Sequence, residues 1–362
     1  MNNKLTVDAR MLRNSGIGVY LESLIKLMPV NSEYLYLVTP SDKPFFEERG
    51  LQYRIFDEKI YSIAEQVKYR SIISKTDLFW SPHYNVPIFP VKAKYRIVTI
   101  HDAYHLANLK SLSLKQRLYA KILMQRAVKG SDKIITVSDF SKEEISKFTG
   151  CNKKKIHVIH NGTEQRAFHS NLDILRVKYL LPDKYFLFVG NVKPHKNLKV
   201  LCHAFLRLPI SIQNDFKIVI VGKKDGFITG DEEIKALINN NSVLLKSIIF
   251  TGFVDSADMS SIYHYAEMFI FPSLYEGFGL PPLEAMVNST PTICSNAASI
   301  PEICGDATLY FDPDSPESLS LKILEVLKNK DKRQNLVELG KKRVLKFTWE
   351  ESLAKHLALF NL

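Results

Sequence analysis

Residues 273–286 of this chain read SLYEGFGLPPLEAM, and this stretch decides the fold of the half in which it lies. It directly follows an apolar segment, residues 268–272 (MFIFP), whose composition predicts a buried strand. A glycine-bearing loop comes next, and Pro281 or Pro282 can open a helix at its first turn. The N–H groups and partial positive charge of a helix N-terminus suit a phosphate. The stretch therefore predicts a strand–loop–helix unit that can bind an anion.

Two glutamates flank the glycines and prolines of this stretch. Glu276 precedes the predicted helix, and Glu284 lies about one turn inside it. Taken singly, Glu276 is better explained as a surface charge and Glu284 as a carboxylate that favours the helix dipole. Together with the backbone donors of the loop, however, the two carboxylates can accept hydrogen bonds from sugar hydroxyls. The whole string therefore predicts a site for a nucleotide sugar.

Length and composition indicate a two-domain globular protein. With 362 residues the chain is too long for one ordinary core. Apolar strand-like runs alternate with helical patterns from end to end, which is typical of parallel sheets covered by helices on both faces. The alternation pauses at residues 163–183, which we interpret as a linker. We therefore expect two Rossmann-like α/β domains, with a ligand in the cleft between them.

Two further strand-to-helix turns carry candidate binding groups. Residues 190–197 (GNVKPHKN) follow the apolar run 185–189, and Lys196 is placed where it can join helix N–H groups around a phosphate. In the first half, a loop leads from a strand ending near Asp8 to Gly16 and Gly18 before a helical pattern. These glycines can let backbone amides approach a diphosphate, but a plain turn explains them equally well, since the dinucleotide fingerprint lacks its third glycine.

Polar residues at a strand end of the first half complete the candidate set. His101 and Asp102 directly follow the apolar run 96–100, so they are expected at its carboxyl end. His105 could join a metal site with His101, but no carboxylate cluster with suitable spacing accompanies it. The string Asp312-Pro313-Asp314 is better explained as a turn before a helix capped by Ser315. We therefore expect no bound metal.

Charge and cysteine content restrict the partners and the compartment. The net charge is +11, which fits nucleic acid, an anionic membrane or a phosphorylated substrate. No nucleic-acid motif is present, so we expect no nucleic-acid partner. Short basic clusters at residues 153–155, 223–224 and 341–343 are typical of solvated faces or of contact with anionic lipid. Four cysteines without paired spacing predict free thiols in a reducing compartment, and no apolar run spans a membrane or forms a signal peptide, so we expect a cytoplasmic protein.

The motifs occur in one order across nearly the whole chain. They read GIG, HD, SDFSK, VIHNG, VGNVKPHKN, VGKKDG, FTGFV, EGFGLPPLEAM and SIPEICGDA. In this order they resemble a bacterial glycosyltransferase of family 4, the retaining enzymes with the GT-B fold, and among them the mannosyltransferases of O-antigen and surface-polysaccharide assembly. The resemblance implies an N-terminal acceptor domain (residues 1–170), a C-terminal nucleotide-sugar domain (residues 171–345) and a final helix (residues 346–362) that crosses back to the first domain.

The resemblance also implies roles for individual residues. Glu284 would hold the nucleotide ribose and Lys196 would neutralise the diphosphate, while His101 would sit by the reacting sugar. Gly16 and Gly18 would let the N-terminal loop approach the diphosphate. The donor sugar would be held by Glu276 and the residues after it, Gly277, Phe278, Gly279 and Leu280.

One position departs from the pattern of the family. The family often has an arginine where this chain has Asn191, also counted here as a donor-binding residue. Lys193, His195 or Arg10 could take over the task of that arginine, and the sequence leaves the choice open.

The expected reaction is transfer of a sugar with retention of configuration and without a divalent metal or other cofactor. The donor would be GDP-mannose, and the acceptor a glycan or lipid-linked glycan at the inner membrane face, with acceptor contacts from residues 84–90 and 104–114. Three alternatives remain: a UDP-, dTDP- or ADP-sugar as donor, a nucleotide-sugar epimerase or phosphorylase of the same fold, and a non-catalytic binding module.

Overall fold

The computed structural model describes residues 4–108, 114–164, 171–222 and 232–361. The chain divides into two compact units, a first unit of Met1–Gly162 with Trp349–Leu362 and a second unit of Thr163–Thr348. The chain thus enters the second unit after Gly162 and returns to the first unit after Thr348. The sequence analysis had placed these two domain boundaries after residues 170 and 345. Part of the predicted linker (165–170), part of the expected acceptor loop (109–113) and the basic pair 223–224 lie outside the described residues.

The described part of the first unit contains one parallel sheet in the order β3-β2-β1-β4-β5-β6-β7. Its strands are β1 (Leu5–Asp8), β2 (Tyr34–Val38), β3 (Tyr53–Ile55), β4 (Thr76–Ser81), β5 (Ala93–Thr99), β6 (Lys133–Thr136) and β7 (Ile156–Val158). The strand order reverses between β1 and β4, and ligands of such sheets bind beyond the carboxyl ends of the strands at this switch point.

Helices connect these strands and cover the sheet. They are α1 (Ser15–Leu27), α2 (Lys43–Glu48), α3 (Ile63–Ile72), α4 (Tyr104–Ala107), α5 (Leu114–Gly130) and α6 (Asp139–Thr149), joined by the C-terminal helix α17 (Trp349–Phe360). Local signals set their ends. Ser138 caps α6 by accepting a hydrogen bond from the Ser141 amide, and Gly150 ends it in the left-handed conformation at φ 72°.

The second unit repeats this plan with the sheet order β10-β9-β8-β11-β12-β13, again parallel throughout its described part. The strands are β8 (Tyr185–Val189), β9 (Lys217–Val221), β10 (Ile248–Gly252), β11 (Met268–Phe271), β12 (Thr292–Ser295) and β13 (Leu309–Phe311). The helices are α7 (Leu172–Tyr179), α8 (Leu198–Leu206), α9 (Ile210–Asp215), α10 (Glu232–Asn239), α11 (Ser242–Ser247), α12 (Ser256–Tyr265), α13 (Leu280–Val287), α14 (Ile300–Cys304), α15 (Pro316–Lys328) and α16 (Lys330–Val344). The switch point lies between β8 and β11.

The predicted fold class is confirmed, since both units are Rossmann-like. Each apolar run that predicted a strand falls on one of these strands, and the short edge strand β3 was missed because its residues are half-exposed or exposed. The polar helix α16 was also missed. It packs on α13, where Gly340 allows a close approach: a Cβ there would lie 3.0 Å from the Met286 side chain.

The C-terminal helix belongs to the core of the first unit. Trp349, Leu353 and Phe360 share one buried cluster with Leu21 and Leu24 of α1. All four cysteines are buried free thiols, as predicted. In the parts of the chain that the structure describes, no helix is long and apolar enough to cross a membrane.

Candidate active site

The switch point of the second unit brings together two predicted site residues that are far apart in the sequence. Lys196 follows β8 and Glu276 follows β11, and these strands are neighbours in the sheet. The Lys196 ammonium lies 2.6 Å from Glu276 Oε1, with side chains only 16% and 15% exposed. It also lies 5.5 Å from the ring centroid of Phe271, the last residue of β11. A positive and a negative group thus meet at the carboxyl edge of the sheet.

A backbone hydrogen bond ties the same two loops together. The Leu274 amide donates to the His195 carbonyl at 2.7 Å. Residues Pro194–Lys196 form a 3-10 turn, and Asn197, left-handed at φ 53°, leads into α8. Lys196 is therefore held just before a helix N-terminus, as predicted.

The glycine-bearing loop has a fixed shape. Gly279 takes φ +105°, a backbone conformation that side-chain-bearing residues rarely adopt, and it stands directly before α13. The buried Ser299 hydroxyl lies 2.9 Å from the carbonyl oxygen of Glu276 and 2.8 Å from that of Phe278, close enough to donate to either. Ser299 lies in the SIPEICGDA motif, but nothing in the sequence indicated which loop it supports.

Glu284 lies one turn inside α13, as predicted. The hydroxyl of buried Tyr263 donates to Glu284 Oε2 at 2.8 Å. Burial and the nearby Glu284 raise the pKa of Tyr263 well above its usual value of 10, so this hydroxyl stays protonated and keeps donating. Tyr263 was not predicted, because it comes from α12 and only the fold brings it to Glu284.

Asn191 stands where the family often has an arginine. Asn191 and Lys193 are exposed in the loop after β8. Arg10, the third candidate in the sequence, is instead buried in the first unit. Its guanidinium donates to both Asp8 oxygens at 2.8 and 2.7 Å and to Glu65 at 2.7 Å. Two carboxylates already pair with this cation, which argues against Arg10 as the replacement.

The Asp312-Pro313-Asp314 string is a turn. Asp312 Oδ1 accepts from the Asp314 amide at 3.0 Å, and Ser315 caps α15 by accepting from the Ser318 amide. The prediction of a turn and a cap is confirmed. Within the described residues, no three His, Cys, Asp or Glu side chains are grouped so that they could hold a metal ion.

In the first unit, His101 follows β5 and is fixed on two sides. Its Nε2 lies 3.0 Å from the Pro82 carbonyl oxygen, which can only accept, so Nε2 carries the proton. The Tyr20 ring lies edge-on to it at 4.8 Å between centroids. Burial lowers the pKa of His101, so the imidazole is neutral at physiological pH.

Gly16 and Gly18 do not lie in a loop before the helix, as the sequence suggested. Helix α1 begins at Ser15, so both glycines lie in its first turns. The Gly18 amide donates to the Asn14 carbonyl at 2.6 Å and is therefore used within the helix. A Cβ on Gly18 would collide with the Leu12 carbonyl oxygen, which gives this glycine a packing role. Gly16 meets no such obstacle, and its proposed place at a diphosphate stays a prediction.

A buried hydrogen-bond chain stands behind His101. His356 Nδ1 lies 2.7 Å from the Ser352 carbonyl, so it donates there, and Nε2 accepts from the Tyr20 hydroxyl at 2.6 Å. The Thr99 hydroxyl lies 3.1 Å from the Tyr20 oxygen and accepts from Trp80 Nε1 at 3.0 Å. The chain joins α17 to the tyrosine that packs on His101. Sequence patterns gave no signal for it.

His356 should make stability depend on pH. Burial lowers the pKa of His356 from 6.5 to about 4. Between these values the unfolded chain binds the proton that the folded protein excludes, so stability is complete above pH 6.5 and falls as the pH approaches 4. The full loss is about 3 kcal/mol. Urea unfolding at several pH values should show the free energy of unfolding falling with pH, and it should fall less steeply in His356→Gln. Some dependence on pH should remain in that variant, since burial also lowers the pKa of His83 to about 3. Equal slopes in both proteins would contradict the assignment.

Comparison with known sequence families gives one match in each unit. The family described as "Glycosyltransferase Family 4" matches residues 14–165, and the family "Glycosyl transferases group 1" matches residues 173–343. The chain is a glycosyltransferase with a family 4 domain followed by a group 1 domain. The group 1 match contains Lys196, Glu276 and Glu284, so the glycosyltransferase has its candidate donor-binding residues within a recognised domain.

Two relatives of the glycosyltransferase have named activities. "O-antigen chain mannosyltransferase B" of Escherichia coli is 27% identical over 286 residues, which cover 77% of this chain and 74% of that protein. "Serotype-specific mannosyltransferase WbdA", also of Escherichia coli, is 28% identical over 314 residues, which cover 84% of this chain but 37% of that protein.

A solved structure shows the same fold. Anabaena Alr3699/HepE, determined in complex with UDP and glucose, superposes with a TM-score of 0.80 at 17% identity and covers 100% of both chains. This likeness supports the GT-B fold of the glycosyltransferase.

Proposed function

We propose that this glycosyltransferase transfers mannose from GDP-mannose to a glycan or lipid-linked glycan of a surface polysaccharide. The observation that carries the proposal is the Lys196–Glu276 pair at the switch point of the second unit, with Glu284 one turn inside the adjoining helix. The relatives named as O-antigen and serotype-specific mannosyltransferases support mannose as the sugar and a glycan as the acceptor.

The donor-binding residues contact different parts of the nucleotide sugar in this proposal. Glu284, held by Tyr263, accepts from the ribose hydroxyls, and Lys196 neutralises the diphosphate. Glu276 and the backbone of Gly277–Gly279, which leads into Leu280, hold the sugar hydroxyls. Lys193, exposed in the loop after β8, is our choice to replace the arginine that the family often has at Asn191.

The proposed reaction proceeds by attack on the face that the leaving group vacates. The bond from the anomeric carbon to the diphosphate oxygen breaks with its electron pair, and Lys196 and helix N–H groups stabilise the resulting charge. The acceptor hydroxyl forms the new bond, and its proton passes to the departing phosphate oxygen. The configuration is thereby retained. We place His101 beside the reacting sugar. Its imidazole is neutral and donates to a carbonyl, so it does not repel the positive charge that develops on the sugar.

We place this reaction at the cytoplasmic face of the inner membrane, with the enzyme bound peripherally. The net charge of +11 supports a contact with anionic lipid. The charge of Lys196 at the diphosphate supports transfer without a divalent cation.

Donor binding should be measurable as thermal stabilisation. A ligand that binds only the folded state at 100 times its Kd adds about 2.7 kcal/mol of stability. GDP-mannose should therefore raise Tm more than UDP-, dTDP- or ADP-sugars, and Glu284→Ala should abolish most of the rise. Glu338→Ala is the matched control, because Glu338 is a half-exposed carboxylate of the same unit whose partners, Lys341 and Gln334, lie on the surface helix α16. A larger rise with UDP-sugars, or an unchanged rise in Glu284→Ala, would contradict the donor assignment.

A further inference from the structure

Two of the three basic clusters seen in the sequence, residues 153–155 and 341–343, lie within the described residues. Lys153 forms an ion pair with Glu143, and Lys155 donates to the Val128 carbonyl at 2.7 Å. Lys341 pairs with Glu338 at 3.0 Å, and Arg343 donates to the Ile303 carbonyl at 2.8 Å. Much of the charge of these clusters is thus engaged within the protein.

Helix α5 of the first unit presents a different kind of surface. Its sequence, LKQRLYAKILMQRAVKG, contains five basic residues and no acidic one. Among the residues of α5 whose side chains are described, the solvent-facing ones recur at three- and four-residue intervals and form one stripe along the helix. They are Leu118, Lys121, Ile122, Arg126 and Lys129, with half-buried Gln125 among them.

The stripe combines apolar and basic side chains. Leu118 is 62% exposed and Ile122 45% exposed, and these two lie one turn apart on the helix. The opposite face is completely buried through Leu123, Met124 and Ala127, so packing against the sheet does not require the two exposed residues. These two side chains are therefore free to pack against another apolar surface.

A basic groove adjoins the same helix. It measures about 460 Å³ and is lined by Arg96, Arg126 and Lys129, with no acidic residue in its lining. Arg96 Nη2 donates to the Pro87 carbonyl at 2.8 Å, whereas its buried Nε has no hydrogen-bond partner among the described residues. The groove can therefore accept an anionic group beside the apolar pair.

We propose that the exposed stripe of α5 and the groove at Arg96 form the surface by which the enzyme binds an anionic lipid bilayer. Leu118 and Ile122 enter the boundary between headgroups and acyl chains, while Lys121, Arg126 and Lys129 contact lipid phosphates. Basic side chains beside exposed apolar ones combine electrostatic attraction to anionic lipid with burial of apolar surface at the headgroup boundary. The inference deepens the proposed membrane contact and does not depend on which sugar is transferred.

The experiment measures binding to vesicles by flotation. Vesicles of phosphatidylcholine and phosphatidylglycerol in equal amounts are compared with vesicles of phosphatidylcholine alone. The parent protein should bind the anionic vesicles and release them as salt is raised. The double variants Leu118→Glu/Ile122→Glu and Arg126→Glu/Lys129→Glu should each lower the partition coefficient roughly tenfold or more. Unchanged thermal unfolding would show that these surface variants fold.

The control pair lies on α7 of the second unit. Ile174 and Val177 are 62% and 81% exposed, but their neighbour Arg176 pairs with Asp173 and Asp183. Ile174→Glu/Val177→Glu should bind vesicles like the parent. The proposal is overturned if the α5 variants bind anionic vesicles as well as the parent does, or if the α7 variant loses as much vesicle binding as they do. It is also overturned if the α5 substitutions change only the oligomeric state. The rise in Tm caused by GDP-mannose should persist in the α5 variants. The Tm measurement therefore tests the donor assignment, and vesicle flotation tests the lipid-binding surface independently of it.

Discussion

Lys196→Ala should lower kcat/KM for sugar transfer from GDP-mannose by about 100-fold to 1,000-fold, the usual cost of removing one preorganised group that stabilises a developing negative charge. In the proposed reaction this charge appears on the diphosphate as the sugar leaves. Lys196 is largely buried at the switch point, so solvent screens it less than a surface lysine. Steady-state kinetics with donor below saturation would measure the effect.

The control for this experiment is Lys199→Ala. Lys199 lies three residues further on, in α8, and forms an exposed ion pair with Glu233, so its removal should leave kcat/KM unchanged. Lys196 also neutralises Glu276, and the double variant Lys196→Ala/Glu276→Gln separates the two tasks. If Lys196 served only to hold Glu276, the double variant would match Glu276→Gln alone. Parental activity in Lys196→Ala would refute the site assignment.

Arg10→Met should destabilise the protein by about 3–5 kcal/mol, the typical cost of removing one partner from a buried ion cluster. The Arg10 guanidinium, 2% exposed, lies between Asp8 and Glu65, whose side chains are 9% and 0% exposed. It also stacks on the Phe56 ring at 3.8 Å. Without Arg10, two buried carboxylates lose their cation.

Urea unfolding followed by circular dichroism would measure this loss of stability. The matched control is Arg49→Met, because Arg49 also lies over a phenylalanine ring, that of Phe45 at 4.1 Å, but pairs with the exposed Glu48. Its cost should stay below about 1 kcal/mol. A small effect of Arg10→Met combined with a large loss of donor binding would contradict the structural role of Arg10 and restore it as a candidate for the family arginine.

The fold could be predicted from the sequence largely because its strands are buried on both faces. Such strands appear as continuous apolar runs, as in Tyr185–Val189, which was predicted to the residue. The start of α1 was wrong because glycines suggested a loop, whereas both glycines lie in the first turns of the helix, where a Cβ on Gly18 would collide with the Leu12 carbonyl oxygen.

The candidate site could be predicted only in part. Local patterns indicated that Lys196 and Glu276 each follow a strand, but not that they touch. Their contact depends on β8 and β11 being neighbours, which strand order decides and no local spacing reveals. The supporting residues Tyr263 and Ser299 were missed for the same reason, since each reaches its partner across the fold.

The central claim is tested most directly by the product of one incubation. The protein is mixed with GDP-mannose and a lipid-linked glycan acceptor in the presence of EDTA, and the anomeric configuration of the product is determined by NMR. We predict a mannosylated acceptor with an α linkage, as in the donor, and release of GDP. An inverted linkage, complete loss of transfer on adding EDTA, or conversion of the donor without any acceptor product would contradict this account.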